Sequence, residues 1–250
     1  MNQNNSKGFI YGIHPLIEAI EAGKEIEKIF IKKDTNSQQY SQLLKLIREN
    51  NLPYQYVPIE KLNRITRKNH QGVIAYISPI AYDNIEQIIP TLFEEGSIPL
   101  VLILDGITDV RNFGAICRTA ECAGVNAIIY AEKGSAIINE DTVKTSAGAI
   151  LNIPICKVKN LTKTVKFLTE CGLNIIACTE KTDKTYYHLN YTEPTAVIMG
   201  SEGEGISFEL RRLAQQEAAI PLFGKTESLN VSCATAIILY EIVRQRSMGE

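Results

Sequence analysis

From Pro99 onward the chain repeats one pattern, short unbroken apolar runs separated by amphipathic segments. The runs are LVLILD (100–105), AIIYAE (127–132), ILNIPICKV (150–158), LNIIACT (173–179), TAVIMG (195–200) and AAIPL (218–222). Between them lie helix-like stretches: the segment after Asn112, NEDTVKTSAG, LTKTVKFLTECG, ISFELRRLA and the long SLNVSCATAIILYEIVRQR. A strand with no polar alternation has no face to give to water, so it must be covered on both sides. Such strands alternating with helices predict an α/β fold built on a parallel sheet with helices on both faces.

Residues 1–80 carry a second, smaller pattern. GIHPLIEAIEAG, with Pro15 early and Gly23 after the last turn, suits a short helix. IEKIFIKK reads as a strand, QYSQLLKLIREN as a helix with Leu43, Leu44 and Ile47 on one face, and PYQYVPI and GVIAYIS as further strands. The stretch 81–97, punctuated by Pro90 and Gly96, reads as a linker with room for one helix. The expected layout is a small α/β domain over 1–80 and a larger one over 98–250.

Composition narrows the function classes. With 250 residues, 45% of them hydrophobic, the chain can bury a sizeable core, and a net charge of −2 provides no global basic field. Any nucleic-acid contact must then come from a local patch. No apolar run is long enough to span a membrane, and MNQNNSKGFIYG lacks the pattern of a secretory leader, so a cytoplasmic protein is expected. The six cysteines are dispersed through apolar segments without a CxxC pair, and the three histidines are far apart, so buried free thiols and no metal site are expected.

Three loops follow strands of the second half, where ligands gather at the carboxyl ends of a parallel sheet. They are TDVRNFGAICRT, MGSEGEGIS and IPLFGKTESLNVS. GSEGEG lacks the Lys-Ser/Thr of a phosphate loop and the spacing of a dinucleotide fingerprint, which leaves a nicotinamide-dependent oxidoreductase with little support. Its glycines serve either a plain tight turn or a backbone that approaches a ligand closely. Asn112 reads equally as a helix N-cap before Phe113, and Asn230 as a cap for the last helix. Arg118 is harder to place. Its helix carries Phe113, Ile116, Cys117, Ala120 and Ala123, and an arginine on the buried side would need a carboxylate such as Glu202, a phosphate or carbonyl groups.

Taken together, the three loops resemble the three motifs of the SpoU (TrmH) family of SPOUT RNA ribose 2′-O-methyltransferases. NFGAICRTAECAGV resembles the first motif, VIMGSEGEGIS the second and IPLFGKTESLNVSCATAIILYE the third. YGIHPLIEAIEAG and HQGVIAYIS are similar to the start and end of the L30e-like substrate-binding domain that precedes the catalytic domain in many members. The wording is most similar to the 23S ribosomal RNA guanosine 2′-O-methyltransferases.

The resemblance implies a catalytic domain with a C-terminal trefoil knot, S-adenosylmethionine as cofactor, RNA as substrate and a homodimer formed through the knotted domain. It implies a cofactor pocket at Thr179, Ile198, Gly200, Gly205, Ile220, Leu222 and Leu229. The catalytic set it implies is Arg118 at the substrate ribose, assisted by Asn112, Glu202, Ser228 and Asn230. Arg118 is viewed in the family as a general base. A guanidinium holds its proton too tightly for that role to come easily, which favours phosphate binding and stabilisation of a developing alkoxide. With the family in view, Lys61, Arg64, Arg67 and Lys68 in KLNRITRKNHQG are expected to contact RNA phosphates; taken alone, the run is equally a solvated face. A transfer-RNA enzyme of the same family and a non-catalytic RNA-binding ribosome-assembly factor are the alternatives.

Overall fold

The computed structural model describes residues 8–33 and 38–247; the first seven residues, part of the stretch read for a leader, lie outside it. The chain divides into two compact units, Met1–Ala81 with Ile138–Glu140, and Tyr82–Ile137 with Asp141–Glu250.

The first unit runs β1 (Phe9–Tyr11), α1 (Ile13–Glu21), β2 (Ile26–Lys32), α2 (Gln38–Glu49), β3 (Tyr54–Val57), α3 (Ile59–Ile65) and β4 (Val73–Ile77). Its four-stranded sheet has the order β1-β4-β2-β3, antiparallel except for the β2/β3 pair. Period-two alternation sends Ile29, Ile31, Val73 and Ala75 to one face, where Leu16 and Ile17 of α1 and Leu43 and Ile47 of α2 cover them. On the opposite face Phe30, Val57 and Ile74 meet Leu62 of α3, a helix that the sequence reading did not anticipate. His70 anchors the α3–β4 loop: its Nδ1 accepts the Gly72 N–H at 3.0 Å, so the proton sits on Nε2, 3.0 Å from Asn63 Oδ1.

The second unit continues with α4 (Ile85–Glu94), β5 (Leu100–Asp105), α5 (Val110–Cys122), β6 (Ala127–Ala131), α6 (Glu140–Thr145), β7 (Ile155–Val158), α7 (Leu161–Glu170), β8 (Asn174–Cys178), β9 (Thr195–Gly200), α8 (Phe208–Leu213), β10 (Gln216–Ala218) and α9 (Val231–Ser247). Six parallel strands form one sheet in the order β10-β8-β9-β5-β6-β7. One face buries Val101, Ile103, Ile129, Ile175 and Ile198 under α4, α7 and α8. On the other, α5 packs against α9, α9 against β9, and Phe113 of α5 meets Tyr130 of β6 edge-on at 5.2 Å. The parallel sheet covered on both faces is the architecture that the apolar runs predicted.

Residues 81–97, read as a linker with room for one helix, contain α4, whose Ile85 and Ile89 enter the second unit's core. The apolar stretch 150–158 is a strand only over Ile155–Val158, because Ala149–Leu151 forms a 3₁₀ turn.

Candidate active site

Because β8, β9 and β10 are parallel, their carboxyl ends open on the same edge of the sheet. A cavity of about 330 Å³ lies there, lined by Cys178 of β8 and Thr179 just after it, from β9 by Met199 and Gly200, from β10 by Ala218, and from the start of α9 by Val231 and Ala234. Ile220, Leu222, Ser228 and Leu229 complete the wall from the loop that leads into α9, and the 201–205 turn lies over it. Of the seven residues expected at the cofactor, six line this cavity: Thr179, Gly200, Gly205, Ile220, Leu222 and Leu229. The side chain of Ile198 is instead fully buried in the sheet core, since alternation along β9 turns Met199 and not Ile198 toward the opening.

The glycines of the second motif have separable reasons. Ser201 and Gly205 exchange backbone hydrogen bonds of 3.1 and 3.0 Å, closing the turn on itself. A Cβ on Gly200 would fall on the backbone of Gly205 and Ile206, and Gly205 itself has φ +73°. The rim is acidic: Glu180, Glu202 and Glu227 line the cavity, and no lysine or arginine among the described residues does. Burial pushes the Cys178 thiol up to about 12, so it stands in the wall as a neutral group.

Three residues from three separate loops meet on the rim. Glu202 Oε1 accepts hydrogen bonds from Asn112 Nδ2 at 3.0 Å and Asn230 Nδ2 at 2.6 Å, and Asn230 Nδ2 also reaches Asn112 Oδ1 at 3.0 Å. Asn112 is free to do this because it is not the cap of α5. Asp109 is, accepting the N–H groups of Arg111 and Asn112 at 2.8 Å, so the helix starts at Val110, earlier than the sequence suggested. Asn230 does cap α9, with Oδ1 accepting from the Ser232 N–H at 3.0 Å and the Ser232 hydroxyl at 2.6 Å. Asp105, at the end of β5, holds the far side of the turn through the Ser207 N–H at 2.7 Å. Asp105 and Asp109 escaped the sequence reading, although an Asp just ahead of an apolar-periodic stretch is a readable cap signal.

Arg118 is exposed on α5 and makes no ion pair among the described residues. Glu202 is bonded to the two asparagines rather than to it. The buried face of the helix consists of Phe113, Gly114, Ile116, Cys117 and Ala120; Arg118 lies one residue, about 100° of rotation, beyond Cys117. Arg111, seven positions earlier, is also exposed and shares its stripe. Gly114 falls between them at a close approach to α6, where an added Cβ would come within 2.8 Å of Thr145 Cβ. Arg118 does not line the cavity. In the first unit, Lys61, Arg64, Arg67 and Lys68 are all exposed, along α3 and the loop after it.

Comparison with known proteins agrees with this geometry. A family model described as the SpoU rRNA Methylase family matches residues 99–240, and one described as RNA 2′-O ribose methyltransferase substrate binding matches residues 9–83. A Staphylococcus saprophyticus protein, provisionally named a TrmH family tRNA/rRNA methyltransferase, is 34% identical over 95% of this chain and 96% of its own length. A Staphylococcus aureus relative of the same name is 36% identical over 96% and 98%. Among solved structures, an AdoMet-bound rRNA methyltransferase from Sinorhizobium meliloti shares 26% identity with a TM-score of 0.61, covering 95% of this chain and 87% of that one. A TrmH/SpoU tRNA modifying enzyme from A. aeolicus shares 32% identity with a TM-score of 0.56, covering 66% and 85%. With its three motif loops gathered at one edge of the sheet and a family model spanning more than half its length, this chain belongs to the SpoU family of RNA methyltransferases.

Proposed function

We propose that this protein transfers a methyl group from S-adenosylmethionine to a ribose 2′-hydroxyl of RNA, and that its substrate is a guanosine of 23S ribosomal RNA. The observation that carries the reading is the cavity at the ends of β8, β9 and β10, with the Asn112–Glu202–Asn230 cluster on its rim.

The residues present fit the cofactor. Met199, Ile220, Leu222 and Leu229 offer apolar surface to an adenine, and the glycine turn leaves backbone groups uncovered. Glutamates without a basic counterpart suit a ligand that carries both a sulfonium and an ammonium. Bound there, the cofactor supplies an electrophilic methyl with a good leaving group, so the protein must align the ribose and assist loss of its proton. Glu202, oriented by Asn112 and Asn230, positions groups at the rim. Arg118 binds the RNA phosphate beside the target and stabilises the alkoxide as it develops. Ser228, in the cavity wall, contacts the ribose end of the site. In the first unit, the exposed Lys61, Arg64, Arg67 and Lys68 bind further RNA phosphates, supplying locally the positive charge that a net charge of −2 does not.

The ribosomal reading is supported by the two-unit layout, which the Sinorhizobium rRNA methyltransferase shares over 95% of this chain. The transfer-RNA reading is favoured by the higher identity to the A. aeolicus tRNA modifying enzyme, 32%. We also read the protein as a homodimer through the second unit. From Val231 to Val243 helix α9 is apolar apart from Ser232, Thr235 and Glu241, and Tyr240, 52% exposed, stands on its open side. Labelled 23S and transfer-RNA transcripts, offered separately and digested to nucleosides, distinguish the substrates. A methylated guanosine from the first is expected; label confined to the second overturns the ribosomal assignment.

A further inference from the structure

The first unit has a sheet face that the site above does not use. Strand register sets Phe9, Tyr76 and Lys28 in one cross-strand row, and Tyr11, Ile74, Phe30 and Gln55 in the next. A third pair, Lys32 and Val57, follows, and no strand position on this face holds an Asp or Glu. Helix α3 covers the end built from Phe30, Ile74 and Val57, while Phe9, Tyr11 and Tyr76 stay partly exposed.

The partly exposed rings of Phe9, Tyr11 and Tyr76 form one cluster, with Phe9 6.4 Å from Tyr11 and 6.0 Å from Tyr76, and Tyr76 also lies 6.0 Å from the buried Phe30. Ammonium groups surround it: Lys61 lies 4.5 Å and Lys28 5.3 Å from the Phe30 ring, and Lys68 5.7 Å from that of Tyr11. Aromatic faces within reach of flexible cations, with no acid on the strands between them, complement a polyanion whose monomers carry flat π surfaces. A duplex hides those surfaces in its own stack, and a single strand offers them.

We propose that this face is a stacking platform for unpaired bases of single-stranded RNA. Bases stack on Phe9, Tyr11 and Tyr76, and Lys28, Lys61 and Lys68 beside them reach the flanking phosphates. The proposal rests on the RNA reading above and adds where, and in what form, the RNA docks.

The test uses the full-length protein, a short labelled single-stranded RNA and a hairpin duplex, with binding followed by anisotropy. Tyr11→Leu and Tyr76→Leu keep apolar volume and remove the π face. Each is expected to weaken single-strand binding about tenfold, as loss of one base–aromatic stack does, while duplex and S-adenosylmethionine binding stay unchanged. The chain contains no tryptophan, so Tyr11→Trp introduces a sole reporter; it should retain affinity, and its fluorescence should be quenched by the single strand. Unchanged single-strand affinity in both leucine variants overturns the platform, as does a wild-type preference for the duplex. If those variants still methylate RNA normally, only the platform falls. A wild-type chain that binds no RNA overturns the platform and the RNA reading together.

Discussion

Asn230 Nδ2 lies 2.6 Å from Oε1 of Glu202, while Oδ1 of the same side chain accepts the Ser232 N–H at 3.0 Å. One residue thus starts α9 and aims a carboxylate over the cavity. The two duties separate by substitution. Asn230→Ser keeps a capping oxygen and should melt close to wild type, whereas Asn230→Ala should lose about 1 kcal/mol. Both should lose turnover, because neither holds Glu202. Thermal denaturation beside methyl-transfer rates checks this, and a serine variant with normal kcat would remove the positioning role.

The acidic rim makes its own prediction. S-adenosylmethionine carries one more positive charge than its demethylated product, and Glu202 lines the cavity with Glu180 and Glu227. Glu202→Gln preserves an acceptor for the two asparagines and removes the charge. It should weaken the cofactor about two- to fivefold, as expected for an exposed pair, and leave S-adenosylhomocysteine nearly unaffected. Calorimetric titration of both ligands measures the difference; equal losses would show that charge is not what Glu202 contributes.

Gly200→Ala sets a Cβ against the backbone of Gly205 and Ile206. Backbone cannot yield as a side-chain tip can, so the turn must open. The expected outcome is a loss of stability of about 1–3 kcal/mol together with a cofactor affinity reduced at least tenfold. Denaturant titration and cofactor titration report the two effects. A variant with wild-type values in both would mean that the turn is not as tightly closed as the Ser201–Gly205 bonds indicate.

His70 gives the first unit a pH dependence. Burial lowers its pKa below the ordinary 6.5, so the unfolded chain takes up the proton first. The stability associated with neutral His70 is full above about pH 6.5 and is lost as the pH falls through the lower, folded value. Protonation also removes the acceptor that Nδ1 offers to Gly72. Melting should occur at lower temperature near pH 5 than near pH 7.5, and His70→Gln should flatten that dependence. An equal slope in the variant would assign it to other groups.

Much of this architecture was legible because buried strands leave a plain signature. LVLILD and TAVIMG have no polar alternation, and both became inner strands of the parallel sheet. The three motif loops were readable as a set, and six of the seven residues expected at the cofactor do line one cavity. The one residue of that set outside the cavity has a local cause. Ile198 failed because the motif names a stretch of β9, while alternation decides which of its side chains faces the opening. Arg118, expected at the substrate ribose and not in the core, is exposed although its neighbours Ile116 and Cys117 are buried, since one step along a helix is enough to leave a face. The one helix allowed for in 81–97 is α4, which runs through Pro90 from Ile85 to Glu94. The aromatic face of the first unit could not be seen in sequence, since Phe9, Tyr76 and Phe30 come together only through strand register.

Arg118 separates charge from geometry. Arg118→Ala should lower kcat about 100-fold or more, in the range found when a transition-state donor is removed. Arg118→Lys keeps the charge without the planar fork and should remain at least tenfold impaired. Near-normal turnover in the lysine variant would exclude any role that needs the guanidinium.

Methyl transfer to a ribose hydroxyl leaves a mark on RNA that alkali reveals. Radiolabelled S-adenosylmethionine, the purified protein and large-subunit ribosomal RNA are incubated, and the RNA is then hydrolysed with alkali. A 2′-O-methyl group removes the nucleophile that alkali requires, so label on ribose must emerge in alkali-resistant dinucleotides. That is the result expected here. Label released in mononucleotides would place the methyl on a base and contradict the account, as would an absence of label in RNA when the cofactor is bound.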